Sequence, residues 1–261
     1  MANIIEKPKK ILITGASSGI GEALALAYAS SGAMLCLTGR NQTRLEAVAA
    51  HCIEKGSTVV SAALDVTDRQ AMSDWIATQQ EEVSFDLVIA NAGISAGTGG
   101  HEEGESIQQA REIFDINLYG ILNTIEPVLS DMIERKRGQI AVLSSLVGYR
   151  GWPTAPAYSA SKGAVRFYGE ALRGALKDTG VKVSVICPGF VTSRITDQND
   201  FAMPLKMEAE KAAQIIKRGL EKNKGRIAFP WPVVFISWFI SILPDCLAQK
   251  ILTLFPAKKA L

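Results

Sequence analysis

The chain has 261 residues, 48% of them apolar, 21% charged, and a net charge of +2. That length and composition suffice to bury one large core in a single domain spanning 1–261, and the near-neutral balance excludes nucleic acid as an expected partner. Cys36, Cys52, Cys187 and Cys246 have neither metal-ligand spacing nor disulfide-scaffold density. The expectation is therefore no metal site and buried, reduced thiols in a cytoplasmic compartment. The opening MANIIEKPKK is too short and too charged for a secretory signal.

In chain order, Ile11–Thr14 reads as a first strand, followed by a helix with Ile20, Ala23, Leu24, Ala27 and Tyr28 at helical spacing and Gly32 as its C-terminal glycine. Further strands are predicted at Met34–Thr38, Thr58–Leu64, Leu87–Ala90, Ile140–Ser144 and Val183–Cys187. Their nearly continuous apolar runs fit strands covered on both faces. Helices are predicted at Arg44–Lys55, Arg69–Gln80, Ile107–Arg135 and Ala157–Thr179. This alternation predicts an α/β fold: a doubly wound, Rossmann-type parallel sheet with helices on both faces.

Between the first strand and helix lies Thr14-Gly15-Ala16-Ser17-Ser18-Gly19-Ile20-Gly21. A tight turn, close approach of backbone to a pyrophosphate, and close packing of helix on strand each call for glycine, while the helix N-terminus offers N–H groups to the anion. The spacing is G-x-x-x-G-x-G rather than G-x-G-x-x-G. At the end of the second strand, Thr38-Gly39-Arg40-Asn41 supplies no carboxylate for a ribose 2′-hydroxyl. Arg40 can instead pair with a 2′-phosphate, so NADP is expected in preference to NAD. Tyr158 is the only one of five tyrosines followed four residues later by a lysine, Lys162. A neighbouring ammonium lowers a phenol toward service as an acid/base group.

These pieces, taken together, resemble the short-chain dehydrogenase/reductase family. The matching residues occur in family order: TGASSGIG at 14–21, Asp65, Asn91-Ala92-Gly93, Asn117 in NLYG, Ser145, Tyr158-x-x-x-Lys162 and Pro188-Gly189. The resemblance spans residues 10 to 193. It implies that Tyr158 exchanges a proton with the substrate oxygen and that Ser145 hydrogen-bonds that oxygen, with Ser144 the lesser candidate. Lys162 would hold the nicotinamide ribose and lower the phenol, and Asn117 would hold a water relaying protons to it. Gly15, Ser17, Ser18, Gly19, Ile20 and Gly21 would cradle the pyrophosphate. Asp65 would meet the adenine, and Asn91, Ala92 and Gly93 the adenosine side. Pro188, Gly189, Val191 and Ser193 would hold the nicotinamide, with Thr192 able to share Ser193's task. The implied activity is hydride transfer between NADP(H) and an alcohol or carbonyl compound. The alternative is a non-catalytic dinucleotide sensor or membrane-associated scaffold, which would not need Asn117, Ser145, Tyr158 and Lys162 together.

Between Ser193 and Glu208, the residues Ile195, Phe201, Met203, Pro204, Leu205 and Met207 read as a lid suited to an apolar substrate, with Asp197 and Asp200 in an exposed hinge. The family's usual C-terminal strand and glycine-rich tail are missing, which puts the tetramer in doubt. Gly225–Phe229 reads as a seventh strand, and an apolar C-terminal extension covers about 227–255. Between Pro232 and Pro244 there is room for a helix of about 11 residues, too short to span a bilayer. A homodimer interface, peripheral membrane contact, a substrate wall and an ordinary core helix all remain open for it. Lys258-Lys259 resembles a dilysine retrieval signal; a solvated basic tail is the preferred reading.

Overall fold

The computed structural model describes residues 8–99, 104–197, 201, 203–256 and 260. The leader reading at 1–7, Asp200 of the hinge and the Lys258-Lys259 pair lie outside the described residues.

Seven parallel strands form one sheet in the order β3-β2-β1-β4-β5-β6-β7. They are β1 (Lys10–Thr14), β2 (Met34–Gly39), β3 (Thr58–Ala63), β4 (Leu87–Ala90), β5 (Gly138–Leu143), β6 (Val181–Pro188) and β7 (Arg226–Phe229). The helices are α1 (Gly19–Tyr28), α2 (Gln42–Glu54), α3 (Arg69–Gln80), α4 (Ile107–Phe114), α5 (Gly120–Glu134), α6 (Pro156–Ala175), α7 (Arg194–Asp197), α8 (Ala209–Glu221), α9 (Trp231–Ile242) and α10 (Asp245–Leu252). Successive strand residues face opposite ways, and the core divides accordingly. Ile11, Ile13, Leu35 and Leu37 join α1, α2 and α8 on one face. Leu12, Cys36, Val88 and Ile140 join α3, α5 and α6 on the other. The expected doubly wound sheet is present, and its order reverses between β1 and β4, which opens a crevice at their carboxyl ends.

Four sequence expectations need correction. The strand β3 is covered only in part: it is the sheet edge, its residues are exposed or half-buried, and only Val59 on one face and Val60 on the other pack against the core. Helix α1 ends at Tyr28, so Gly32 is not its cap; Gly32 has φ +80° in the turn that leads to β2. The predicted helix 107–135 is interrupted at Asp115–Tyr119 by a π-helical turn. Finally, Cys246 is exposed, although Cys36, Cys52 and Cys187 are buried. Burial raises the thiols of these three to about 11, which makes them poor nucleophiles at neutral pH.

The C-terminal stretch does form β7 and then a short helix, α9, whose first turn contains Pro232. Val233 and Val234 pack against the core face that carries Leu146 and Tyr149. Helix α10 folds back so that Ala248 and Leu252 meet Ile240. No helix among the described residues is long and apolar enough to cross a membrane.

Candidate active site

A cleft of about 370 Å³ crosses the carboxyl ends of the central strands. Its floor is the turn after β1, where Gly15, Ser17, Ser18, Gly19 and Ile20 all line the cleft. Two close approaches explain the glycines. A Cβ on Gly21 would lie 2.2 Å from Gly15 O, so helix and turn could not close. Gly21 therefore sits beneath the cleft rather than on its surface. Gly19, at φ +59°, would place a Cβ 2.9 Å from Ser193 Cβ. The loop after β6 thus comes down onto the phosphate turn at a residue without a side chain.

Asn91 ties β4 to this turn. Its Nδ2 donates to Thr14 O at 2.9 Å and to Gly15 O at 3.2 Å. Its backbone N–H donates to Thr14 Oγ1 at 3.1 Å. Ala92 and Gly93 continue along the cleft wall. Asp65 also lines the cleft, while its Oδ1 accepts from the backbone and hydroxyl of Thr67 at 2.9 and 2.8 Å. The strand-end turn and the cleft position therefore coexist in one residue.

At the far end, Arg40 is joined by Arg44, which the sequence reading missed. Asn41 caps α2 by accepting from Arg44 N at 2.9 Å, which fixes where that arginine leaves the helix. The Arg44 Nε is buried and has no protein acceptor. A second arginine four residues after the first, at a helix start, was the signal available in the sequence. These two cations, the glycine floor and the helix N-terminus fit the phosphates of a dinucleotide.

At the opposite end, Ser145, Tyr158 and Lys162 converge. Ser144 and Ser145 have different surroundings. Ser144 Oγ is buried and donates to Lys162 O at 2.7 Å. Ser145 Oγ accepts from Val147 N at 3.3 Å, donates to Pro188 O at 3.4 Å, and also reaches the Tyr158 hydroxyl. Burial raises the Tyr158 phenol above its usual range; hydrogen bonds with Ser145 and Ser95 pull it down. The lysine charge expected to lower it is not among its perturbing groups. Lys162 is instead buried, its own ammonium lowered to about 8, and its Nζ donates to Leu143 O at 2.9 Å. Ser95 escaped the sequence reading because nothing but its place after Asn-Ala-Gly marked it.

Asn117 does not line the cleft. It lies within the π-helical turn, behind Gly93, where a Cβ on Gly93 would sit 2.9 Å from Asn117 Oδ1 and 3.2 Å from Lys162 Nζ. Its Oδ1 accepts from Ile94 N at 2.8 Å, and its Nδ2 donates to Ile94 O at 3.0 Å and Ser161 Oγ at 3.1 Å. The asparagine thereby clamps the loop after β4 to α6.

Pro188, Gly189, Val191 and Ser193 close the cleft from the β6 side. Gly189 N donates to Phe229 O at 2.8 Å, coupling this loop to β7. Ser193 precedes α7, where its backbone N–H donates to Thr196 Oγ1 at 2.9 Å. Thr192 is turned away toward Glu208 Oε1 at 3.2 Å and does not line the cleft. In the segment expected as a lid, the Phe201 ring stands edge-on to Phe190 at 6.1 Å, and Val191 pairs with Met207. Exposed Asp197 meets Lys206 at 3.5 Å. The Ile195 side chain lies outside what the structure describes. Among the described residues, no cluster of three or more His, Cys, Asp or Glu side chains could hold a metal.

A family model described as short chain dehydrogenase matches residues 9–203. The chain is 38% identical over 237 residues to an uncharacterized oxidoreductase of Myxococcus xanthus (strain DK1622), covering 90% of this chain and 92% of that one. Among solved structures, it resembles a short-chain dehydrogenase from Sphingobium yanoikuyae in complex with NADPH, at 24% identity and a TM-score of 0.77, covering 90% of this chain and 96% of that one. It also resembles a short-chain dehydrogenase/reductase from Burkholderia phymatum in complex with NAD, at 24% identity and a TM-score of 0.80, with 88% and 91% covered.

Proposed function

The chain belongs to the short-chain dehydrogenase/reductase family, and from that premise we propose that it is an NADP-dependent carbonyl reductase and alcohol dehydrogenase acting on apolar substrates, folded as one domain. It is an oxidoreductase that uses a nicotinamide dinucleotide; the preference for the 2′-phosphorylated form is our reading. That preference rests on Arg40 and Arg44 at the adenosine end, the second with a buried Nε that has no protein acceptor. When bound, the nicotinamide supplies or accepts the hydride.

The protein's share is proton transfer and orientation. Raised by burial, Tyr158 is protonated at neutral pH and is placed to give its proton to the oxygen of a carbonyl as that oxygen gains charge. In the reverse direction its oxygen takes the proton of the alcohol. Ser145 Oγ, within hydrogen-bond reach of the phenol, holds the same substrate oxygen. Lys162 holds the ribose hydroxyls, and Asn117 keeps the loop beneath it in place. The convergence of Ser145 and Tyr158 above Lys162 is the observation that carries the assignment. An apolar substrate fits the nicotinamide end, where Ile94, Leu143, Pro188 and Val191 form the wall. The buried thiols fit a cytoplasmic protein, and the apolar C-terminal helices fit either a homodimer or peripheral contact with a membrane.

Replacing Tyr158 by Phe keeps the ring and removes the proton. Turnover of a medium-chain ketone with NADPH should fall at least about a hundredfold, with NADPH affinity little changed. Near-normal turnover would overturn the mechanism, and a preference for sugars or short hydroxy acids would overturn the substrate class.

A further inference from the structure

The helix α9 has only one buried side chain, that of Ile240. Trp231, Phe235, Trp238, Phe239 and Ile242 are all exposed, Trp231 by 79%. At 100° per residue these five fall on one arc of the helix, opposite the Val233 and Ile240 positions that face the protein, while Ile236, also exposed, lies off the arc at its flank. The four rings alone leave on the order of 400 Å² of apolar surface to water. The rings alone thus reach the size of the largest patch on an ordinary soluble monomer, about 300–600 Å², before the aliphatic side chains are counted. The helix α10 adds a second stripe, exposed Leu247 and Ile251 at i, i+4, and exposed Leu254 follows in the turn after it, with exposed Lys250 beside them. Residues 227–244 contain no charged side chain.

We propose that these two stripes are a lipid-docking surface, which seats the protein in the plane of a bilayer interface without spanning it. The indole groups decide between lipid and a second copy of the chain. Neither the Trp231 nor the Trp238 N–H donates to a protein acceptor among the described residues. A symmetric dimer would press this face against itself. The arc carries no side-chain acceptor: Ser237 and Ser241 fall on the other side of the helix, and Ser241 Oγ donates to Trp238 O at 2.7 Å. Self-pairing would therefore bury indole donors against carbon, each at the full cost of desolvation. At a lipid surface the ring enters the apolar layer while water and headgroup oxygens take the N–H. With 12 residues, α9 is about 18 Å long, against a hydrocarbon core of about 30 Å, so it lies on the bilayer rather than across it. Exposed Lys250 beside the α10 stripe fits the polar border of an interfacial helix.

The full chain should float with phosphatidylcholine vesicles, its tryptophan emission shifting to the blue, and the addition of phosphatidylglycerol should strengthen binding only modestly. A Trp231→Ser, Phe235→Ser, Trp238→Ser variant should lose vesicle partition at least about a hundredfold, since three aromatic contacts are removed. These side chains are largely outside the core, so NADPH binding and turnover of a water-soluble ketone should persist and show that the variant is folded. Phe167→Ser removes another exposed ring, on α6, and should float like the wild type. Aggregation of the wild type without detergent that vesicles relieve also supports docking. A discrete detergent-free dimer indifferent to vesicles would assign the face to a second copy and overturn the proposal. A vesicle-indifferent monomer, or a triple variant that floats unchanged, would overturn it equally. None of the vesicle and sizing outcomes depends on the substrate assignment, and an unchanged circular-dichroism melt reports the fold of the variant independently of it.

Discussion

The phosphate turn and the C-terminal helix pair are held in opposite ways. Around Gly15–Gly21 the backbone of one segment lies against that of the next, and Asn91 bonds two successive carbonyls. Along α9, side chains mostly face outward, and one residue is buried. Steric crowding restricts which amino acid can occupy a position, so it leaves a mark on residue identity. An open apolar face restricts only the kind of residue, and many sequences satisfy it. Substitutions should therefore act through shape in the first region and through partition in the second.

The comparison breaks most sharply at Gly21. Gly21→Val would drive carbon into Gly15 O and into Asn91 Nδ2, 2.6 Å from the added Cβ. Neither neighbour can retreat, and a loss of more than about 4 kcal/mol is expected. Urea unfolding would show it, as would failure to recover soluble protein. An unchanged midpoint would mean that the turn is looser than its geometry.

Lys162 sharpens the comparison in pH. Its folded-state value is lowered to about 8 from 10.5, so between those limits the unfolded chain binds the extra proton. Stability should accordingly rise with pH through that window, and below about 8 the buried charge is a full burden on the fold. Relative to Lys162→Met, the wild type should gain about 3 kcal/mol between pH 8 and pH 10.5. Parallel urea titrations of the two proteins at those pH values measure it; identical slopes would refute it.

At the adenosine end the effect is smaller and concerns selectivity. Arg40→Asp should weaken NADPH about ten- to a hundredfold and NADH far less, since a charge-assisted hydrogen bond is worth about 1.5–3 kcal/mol. Titration of both cofactors reads it, and equal losses would refute the phosphate assignment. Smallest of all is the single change Trp231→Ser at a largely exposed site, which should alter unfolding free energy by less than about 0.5 kcal/mol. A larger loss would show that the ring supports the fold after all.

How much was legible follows the same division. The glycines of the turn, the Tyr158–Lys162 spacing and the apolar strands are identity or period signals, and they led to the sheet and most of the cleft. Arg44 was missed because a charged residue near a helix start is common, and only its unpaired Nε sets it apart. Ser95 and the choice between Ser144 and Ser145 depend on which hydroxyl faces the phenol, a relation between distant segments. The edge position of β3 depends on which strand ends the sheet, and Thr58–Ala63 is apolar enough to be taken for an interior one. The exposed stripe of α9 could be read as hydrophobic, but its exposure could not.

The π-helical turn at Asp115–Tyr119 passed unseen because every residue in it is compatible with an ordinary helix. Such a turn is in effect an α-helix carrying one residue too many. Before it, Ile113 packs with Ala157 and Tyr158 near the active site. After it, Ile121, Ile125, Val128 and Met132 pack into the sheet. The extra residue lets one rod point its apolar sides at two targets that a uniform helical repeat would not reach together. It works as a phase shifter. Deleting a single residue here would rotate the two parts by about 100° against each other, so that either the Asn117 clamp or the sheet-facing stripe must leave its place. Counted in residues, that is the smallest possible deletion; counted in angle, it is more than a quarter of a revolution.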